Sequence, residues 1–98
     1  MSYKHIYQHR AEYEYDDALN WYLERSLDAG IHFAEEIAQK LKEICLHPTL
    51  YRKTKKHFRE AILKKYAYSI IYRIAEEENL ILIVSVFHHS RKPGDNFH

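Results

Sequence analysis

The sequence contains one cysteine, two glycines and two prolines among its 98 residues. A single cysteine, Cys45, excludes an internal disulfide and any zinc site built from several thiolates. The scarcity of turn-forming residues, together with a hydrophobic content of 46%, argues against a disordered chain. We therefore expect one domain spanning residues 1–98, because a chain of this length supports a single hydrophobic core.

The chain also lacks a long apolar segment. Its first residues, MSYKHIYQ, have no hydrophobic core of a secretion signal, and its apolar runs fall well short of the roughly 20 residues that a membrane-spanning helix needs. We therefore expect a cytoplasmic protein without a membrane partner. Cys45 lies on the apolar stripe of a predicted helix, which favours a buried thiol over a catalytic nucleophile.

Charge is unevenly distributed, although the formal net charge is only +1. Residues 11–45 contain nine acids and three bases, whereas residues 46–98 contain ten bases and five acids. This asymmetry indicates two surfaces of opposite potential, of which the basic one suits an anionic partner. A dipolar, well-solvated surface explains the same pattern equally well.

Two segments have hydrophobic residues at helical spacing, residues 11–23 and residues 34–45. Asp28 is expected to cap the second helix, and the pair His47-Pro48 ends it. Because the connection between the segments is short, we expect the two helices to form an antiparallel hairpin.

Strand composition recurs in the remaining segments. Four of them are rich in β-branched and aromatic residues: residues 3–8, 58–63, 68–75 and 80–88. The segment LILIVSVF is apolar on both faces, which favours a central strand. Residues 50–56 are predicted to be a basic linker. The order of elements predicts an α+β fold in which the hairpin covers one face of a four-stranded, largely antiparallel sheet.

The stretch VFHHSRKP, residues 86–93, has four interpretations: a metal site, an acid–base site, a phosphate-binding patch or a polar strand end. Successive strand side chains point to opposite faces, so His88 and His89 should diverge, and we expect no metal. An acid–base site in which Arg91 assists a histidine stays open. So does the plainer interpretation that one histidine packs or caps the strand while the other is solvated.

Residues 52–65 carry seven bases and a single acid, Glu60. If Arg59 points into the same groove as His89 and Arg91, the sheet presents a concave surface suited to phosphates or to an acidic peptide. Weaker candidates for binding are Lys55, Lys56, Tyr68 and Arg73. The nine tyrosines are individually more consistent with packing than with binding.

In order and spacing, these elements resemble the RelE/ParE superfamily of toxins from bacterial type II toxin–antitoxin modules. The matching features are the helix-hairpin pattern of residues 16–51, then FREAIL, then YAYSIIYRI, then LILIVSVFHHSRKP. The resemblance covers almost the whole chain. It implies the fold of that family, with an N-terminal strand, an antiparallel two-helix hairpin and three antiparallel strands.

The resemblance implies a growth-arresting toxin without a cofactor, neutralised by a cognate antitoxin. A homodimer or a toxin–antitoxin hetero-oligomer is the implied assembly. RelE-like members cut messenger RNA in the ribosomal A site without a metal, whereas ParE-like members inhibit DNA gyrase and are not nucleases.

Three departures favour the ParE-like branch. Ser69 stands where RelE-like nucleases commonly have an arginine, the segment EAIL lacks their lysines, and Phe97 is the best replacement for their C-terminal tyrosine. A ribosome-dependent endoribonuclease remains the alternative. Its catalytic residues would be His88, His89, Arg59 and Arg91.

Overall fold

The computed structural model describes residues 2–90 of the chain. Its elements are β1 (Lys4–Tyr7), α1 (His9–Arg25), α2 (Leu27–Leu46), β2 (Arg52–Lys53), β3 (Phe58–Ile62), β4 (Tyr68–Ala75), a 3-10 turn (Glu76–Glu78) and β5 (Leu80–His88). Within these residues the five strands form one sheet in the order β1-β5-β4-β3-β2. The β1–β5 pair is parallel and the other pairs are antiparallel. The predicted α+β fold is confirmed, and β5 lies between two neighbours as its apolar composition predicted.

Ser26 ends α1 and begins α2. Its backbone N–H donates to the carbonyl of Tyr22 at 3.1 Å, and its hydroxyl accepts from the backbone N–H of Ala29 at 2.9 Å. The prediction that Asp28 caps α2 is therefore wrong. Asp28 lies in the first turn of α2, where a negative charge interacts favourably with the helix dipole.

Gly30 allows the two helices to approach closely at this connection. A Cβ atom at residue 30 would lie 2.1 Å from Cδ2 of Leu23, which is closer than non-bonded carbons can pack. The chain has only two glycines, and this one is explained by the closeness of the hairpin.

The core lies between the hairpin and one face of the sheet. Its fully buried side chains include Ile37 and Ile44 of α2 and Ile70, Tyr72, Ile81 and Ile83 of the sheet. Cys45 is buried as predicted, and burial raises the pKa of its thiol. Eight of the nine tyrosines belong to the core or pack against it, as predicted, whereas Tyr13 is 71% exposed. Phe33 stacks on Tyr22 with ring centroids 4.8 Å apart, and it meets Tyr66 and Tyr68 edge-on at 5.3 Å.

Strand β2 lies within the predicted basic linker, so the sheet has one strand more than the four predicted from the sequence. Arg52 pairs with Glu60, and Lys53 pairs with Arg59. A two-residue edge strand of exposed basic residues leaves no hydrophobic periodicity, which is why the sequence pattern does not indicate it.

The face of the sheet turned away from the helices is called here the outer face. Alternation along β3 and β4 places six side chains on it: Phe58, Glu60, Ile62, Ser69, Ile71 and Arg73. A bulge in β5 leaves Val84 between the partners of Ile71 and Tyr72.

Glu14 connects α1 to β5 beyond the point where β1 ends. Its carboxylate is buried and accepts from the hydroxyl of Ser85 at 2.7 Å and from the backbone N–H of Val86 at 2.9 Å. Nε of Arg10 lies 3.3 Å from its second oxygen. Glu14 thereby accepts hydrogen bonds from groups of β5 that lie beyond the end of β1. In the described part of the chain, neither helix has the length and apolar character to cross a membrane.

Candidate functional site

Four polar side chains form a continuous hydrogen-bonded network across the outer face. Nη2 of Arg52 donates to Oε1 of Glu60 at 2.7 Å, and Oγ of Ser69 donates to Oε2 of Glu60 at 2.6 Å. Nε2 of His89 lies 2.7 Å from the same Oγ. The four residues come from β2, β3, β4 and the position after β5, so the outer-face network connects side chains distant in sequence.

The centre of the outer-face network is shielded from water and its ends are exposed. Ser69 is fully buried, and the side chain of Glu60 is 11% exposed. His89 and Arg52 are exposed. A fully buried hydroxyl is out of reach of a substrate and is therefore poorly placed to act as a nucleophile. Any chemistry of the network therefore belongs to its exposed end at His89.

His89 extends the pairing between β5 and β4 by one step. Its backbone N–H donates to the carbonyl of Ala67 at 2.7 Å, and its ring lies 5.9 Å from that of Phe87. Ala67 ends the β3–β4 turn, which also contains the exposed Lys64 and Lys65. The imidazole and these two lysines are thus at the same end of the sheet.

His88 lies on the other face of β5 from His89. Its ring is perpendicular to that of Tyr68 at a centroid distance of 4.9 Å, and its Nδ1 accepts from the backbone N–H of Ser90 at 3.1 Å. The two histidines diverge, as strand alternation predicts. Within residues 2–90, no group of three or more His, Cys, Asp or Glu side chains is placed to hold a metal ion.

Arg59 does not share a groove with His89, so the condition for a concave surface formed by these two residues is not met. Arg59 precedes Glu60 in β3, so its side chain lies on the helix-covered face. Its Nη1 donates to the carbonyls of Tyr51 at 2.7 Å and Thr49 at 3.3 Å. Arg59 therefore fixes the segment between α2 and β2, on the far side of the sheet from the outer-face network.

The other predicted site residues are dispersed. Lys55 and Lys56 lie in the exposed β2–β3 turn, where Lys56 has a left-handed φ of 54°, and Arg73 pairs with Phe58 near that turn. This is the end of β3 opposite the β3–β4 turn. Tyr68 is only 5% exposed and belongs to the core. Arg91 and Phe97 lie outside the described residues.

Sequence reasoning did not identify Arg52, Glu60 and Ser69 as members of one site. A signal existed for Glu60, because it is the single acid within a run of seven bases. In the sequence, Ser69 stands out only as a departure from an expected arginine. Its partners are 9 and 20 residues away in sequence, so the network required the strand register to be known.

Residues 6–93 match the model of the family described as the ParE toxin of the type II toxin-antitoxin system, parDE. The chain belongs to this family. It is therefore a toxin of a type II toxin–antitoxin system, as the pattern of its helices and strands indicated. No curated protein sequence matches the toxin significantly.

Solved structures share the fold of the toxin. A chain of the intact E. coli RelBE toxin–antitoxin complex is 20% identical, with a TM-score of 0.70 over 92% of this chain and 100% of that chain. A chain of the chromosomal ParDE system from P. aeruginosa is 13% identical, with a TM-score of 0.74 over 89% of this chain and 96% of that chain. A chain of the RelBE2 complex from Mycobacterium tuberculosis is 14% identical, with a TM-score of 0.60 over 90% and 99% respectively. At these identities the likeness establishes the RelE/ParE fold of the toxin.

Proposed function

We propose that this toxin arrests growth by binding DNA gyrase and inhibiting it without cutting nucleic acid. The observation that carries this proposal is the position of Arg59. Cleavage of a phosphodiester is accelerated by a cation placed where negative charge develops, beside the acid–base group. Among residues 2–90, Arg59, one of the arginines expected to assist His89, lies across the sheet from it, and Arg52 is paired with Glu60. The positive charge at the His89 end of the sheet is that of the exposed Lys64 and Lys65. The family match to ParE toxins supports the same conclusion.

Purified gyrase tests this proposal directly. Supercoiling of relaxed plasmid should decrease as toxin is added, and induction of the toxin in cells should cause DNA damage while ribosome-bound messenger RNA stays intact. Unchanged gyrase turnover at saturating toxin would contradict the proposal. The site of action of such a toxin is the cytoplasm.

A second candidate function, ribosome-dependent cleavage of messenger RNA, is favoured by the outer-face network. An exposed histidine linked through a buried serine to a carboxylate has the form of an acid–base site, and Lys64 and Lys65 supply positive charge at the same end of the sheet. Sequencing of the 5′ ends of ribosome-bound messenger after induction distinguishes this function. New ends that disappear with His89→Ala would establish it.

We further propose that the cognate antitoxin binds along β1. In the described sheet β1 is an edge strand, and an open groove of about 480 Å³ separates it from α2. The groove is lined by apolar residues that include Tyr3, Tyr7, Ile37, Ala38 and Leu41. An exposed strand edge offers unpaired backbone groups, and an adjacent apolar groove offers pockets for the alternate side chains of an extended peptide. The E. coli and P. aeruginosa structures contain toxin–antitoxin systems, which supports an antitoxin as the partner.

A further inference from the structure

The directions of the hydrogen bonds in the outer-face network follow from the groups that form it. A carboxylate accepts hydrogen bonds only and a guanidinium donates only, so Glu60 accepts from both Arg52 and Ser69. The hydroxyl of Ser69 has one proton, which it gives to Glu60. Its oxygen can then only accept from Nε2 of His89, 2.7 Å away. The proton of the neutral imidazole is therefore on Nε2, and Nδ1 is an acceptor.

We propose that Ser69 and Glu60 are positioning residues for His89, and that the toxin contacts its target through Nδ1 of His89. Nε2 donates to the buried hydroxyl of Ser69 and so holds the ring in place. Within the described residues, Nδ1 has no hydrogen-bond partner. The chemistry that Nδ1 recognises is an O–H or N–H donor on the target. This inference rests on the proposed inhibition of gyrase, so the donor that Nδ1 contacts belongs to that protein.

Glu60 is connected to the imidazole through Ser69. The path from Nε2 of His89 to the carboxylate has two hydrogen bonds, of 2.7 Å and 2.6 Å. A carboxylate behind a histidine orients the ring. Here a serine hydroxyl lies between the two groups, and Arg52 holds the carboxylate in place at 2.7 Å.

The position of Ser69 argues against a purely structural role. Ser69 is fully buried, and its neighbours on the same face of the sheet are apolar. They are Ile71, two residues further along β4, and Ile62, its partner on β3. A buried strand position that serves packing alone favours a β-branched apolar residue. Ser85 is an equally buried serine of the same sheet, and its hydroxyl is bonded to Glu14 and not to a histidine. It therefore offers a matched control.

Nitrogen-15 NMR of the full-length toxin tests the positioning role. In the wild type, a proton on Nε2 of His89 should be visible and slow to exchange with water. Ser69→Ala should abolish this slow exchange, Ser69→Thr should restore it, and Ser85→Ala should leave it unchanged. A protected Nε2 proton that persists in Ser69→Ala, or a wild-type proton found on Nδ1, overturns the proposal.

Glu60→Ala examines the same positioning from the other end of the hydrogen bond to Ser69 and keeps the test valid if Ser69→Ala fails to fold. Without the carboxylate, the hydroxyl of Ser69 can donate to His89, so a population with the proton on Nδ1 should appear. A spectrum identical to that of the wild type contradicts the proposal.

Growth arrest provides the functional readout. If His89 contacts gyrase, Ser69→Ala and His89→Ala should each weaken growth arrest about two- to tenfold, which corresponds to the loss of one hydrogen bond. Ser69→Thr should recover most of the activity. If Ser69→Ala loses the protected proton but arrests growth as the wild type does, target contact through Nδ1 is excluded. A gyrase assay without inhibition would contradict the proposed target and leave the positioning of His89 intact.

Discussion

The guanidinium of Arg59 and the carboxylate of Glu60 belong to successive residues of β3 and lie on opposite faces of the sheet. Arg59 holds the segment between α2 and β2 through two backbone carbonyls, whereas Glu60 is the centre of the outer-face network. One is a structural cation and the other belongs to the candidate site. The two residues should therefore respond differently to substitution.

Arg59→Ala should destabilise the toxin without a specific loss of activity. It removes two hydrogen bonds from a charged donor to the carbonyls of Thr49 and Tyr51, for which we expect a loss of about 1.5–3 kcal/mol in the free energy of unfolding. Urea denaturation measures this loss. Growth arrest per folded molecule should equal that of the wild type. A loss of growth arrest larger than the loss of folded protein would show that Arg59 takes part in the toxic activity.

Glu14→Ala should be among the more destabilising single changes in the chain. It leaves the hydroxyl of Ser85 and the backbone N–H of Val86 buried without their acceptor, at a cost of about 1–3 kcal/mol for each group that water does not reach. For a domain of this size, each 1 kcal/mol lowers the melting temperature by roughly 4–8 °C. Glu12→Ala, two residues away on the exposed side of α1, is the control and should change the melting temperature little. Equal melting temperatures for the two variants would show that the buried carboxylate is unimportant.

Gly30→Ala should loosen the helix hairpin. The added methyl group would meet Cδ2 of Leu23, so one helix must move or Leu23 must change its rotamer, at a cost of about 1–3 kcal/mol. The double variant Gly30→Ala/Leu23→Ala removes the obstructing side chain and should recover part of the lost stability. A double-mutant cycle from thermal denaturation measures this coupling, and strictly additive effects would mean that the two residues do not interact.

Stability should fall at alkaline pH because burial raises the pKa of Tyr7 and Tyr72 well above the ordinary value. Nearby Tyr15 and Asp16 add to the effect at Tyr7, whereas Arg59 opposes it at Tyr72. Above about pH 10, a tyrosine whose pKa is higher in the folded state keeps its proton in the folded protein but loses it in the unfolded chain. Its contribution is therefore complete below about pH 10 and is lost as the pH rises toward the folded pKa.

Urea denaturation across this alkaline range checks whether stability decreases as the pH rises and which tyrosine causes the decrease. Tyr72→Phe should flatten the decrease in stability with pH, although it also removes the 2.6 Å hydrogen bond to the carbonyl of Pro48 and so lowers stability at neutral pH. If stability decreases with pH as steeply in Tyr72→Phe and in Tyr7→Phe as in the wild type, burial does not raise the pKa of these two tyrosines.

The sequence predicted the fold closely and the site poorly, for a physical reason. Helices and strands are encoded by local periodicity, so the last two strands were predicted with their observed bounds, residues 68–75 and 80–88. The outer-face network depends on register between strands. Alternation correctly separated His88 from His89, but it could not reveal that Ser69 lies between Glu60 and His89. The face of the sheet on which Arg59 lies does not follow from the sequence, because the short, mixed segment of β3 does not show which of its alternating residues face the helices.

Ala38→Arg should block antitoxin binding while leaving toxicity intact. Ala38 is exposed in α2 and lines the groove beside β1, so a long charged side chain would fill the space proposed for an apolar antitoxin segment. Gln39→Arg adds the same charge at an exposed neighbouring position that does not line the groove, and it serves as the matched control. Co-purification with tagged antitoxin should fail for Ala38→Arg and succeed for Gln39→Arg, and cells that co-express the antitoxin should be arrested only by the former. If both variants are neutralised equally, the antitoxin does not use this groove, and the outer face becomes the surface to examine for its contact.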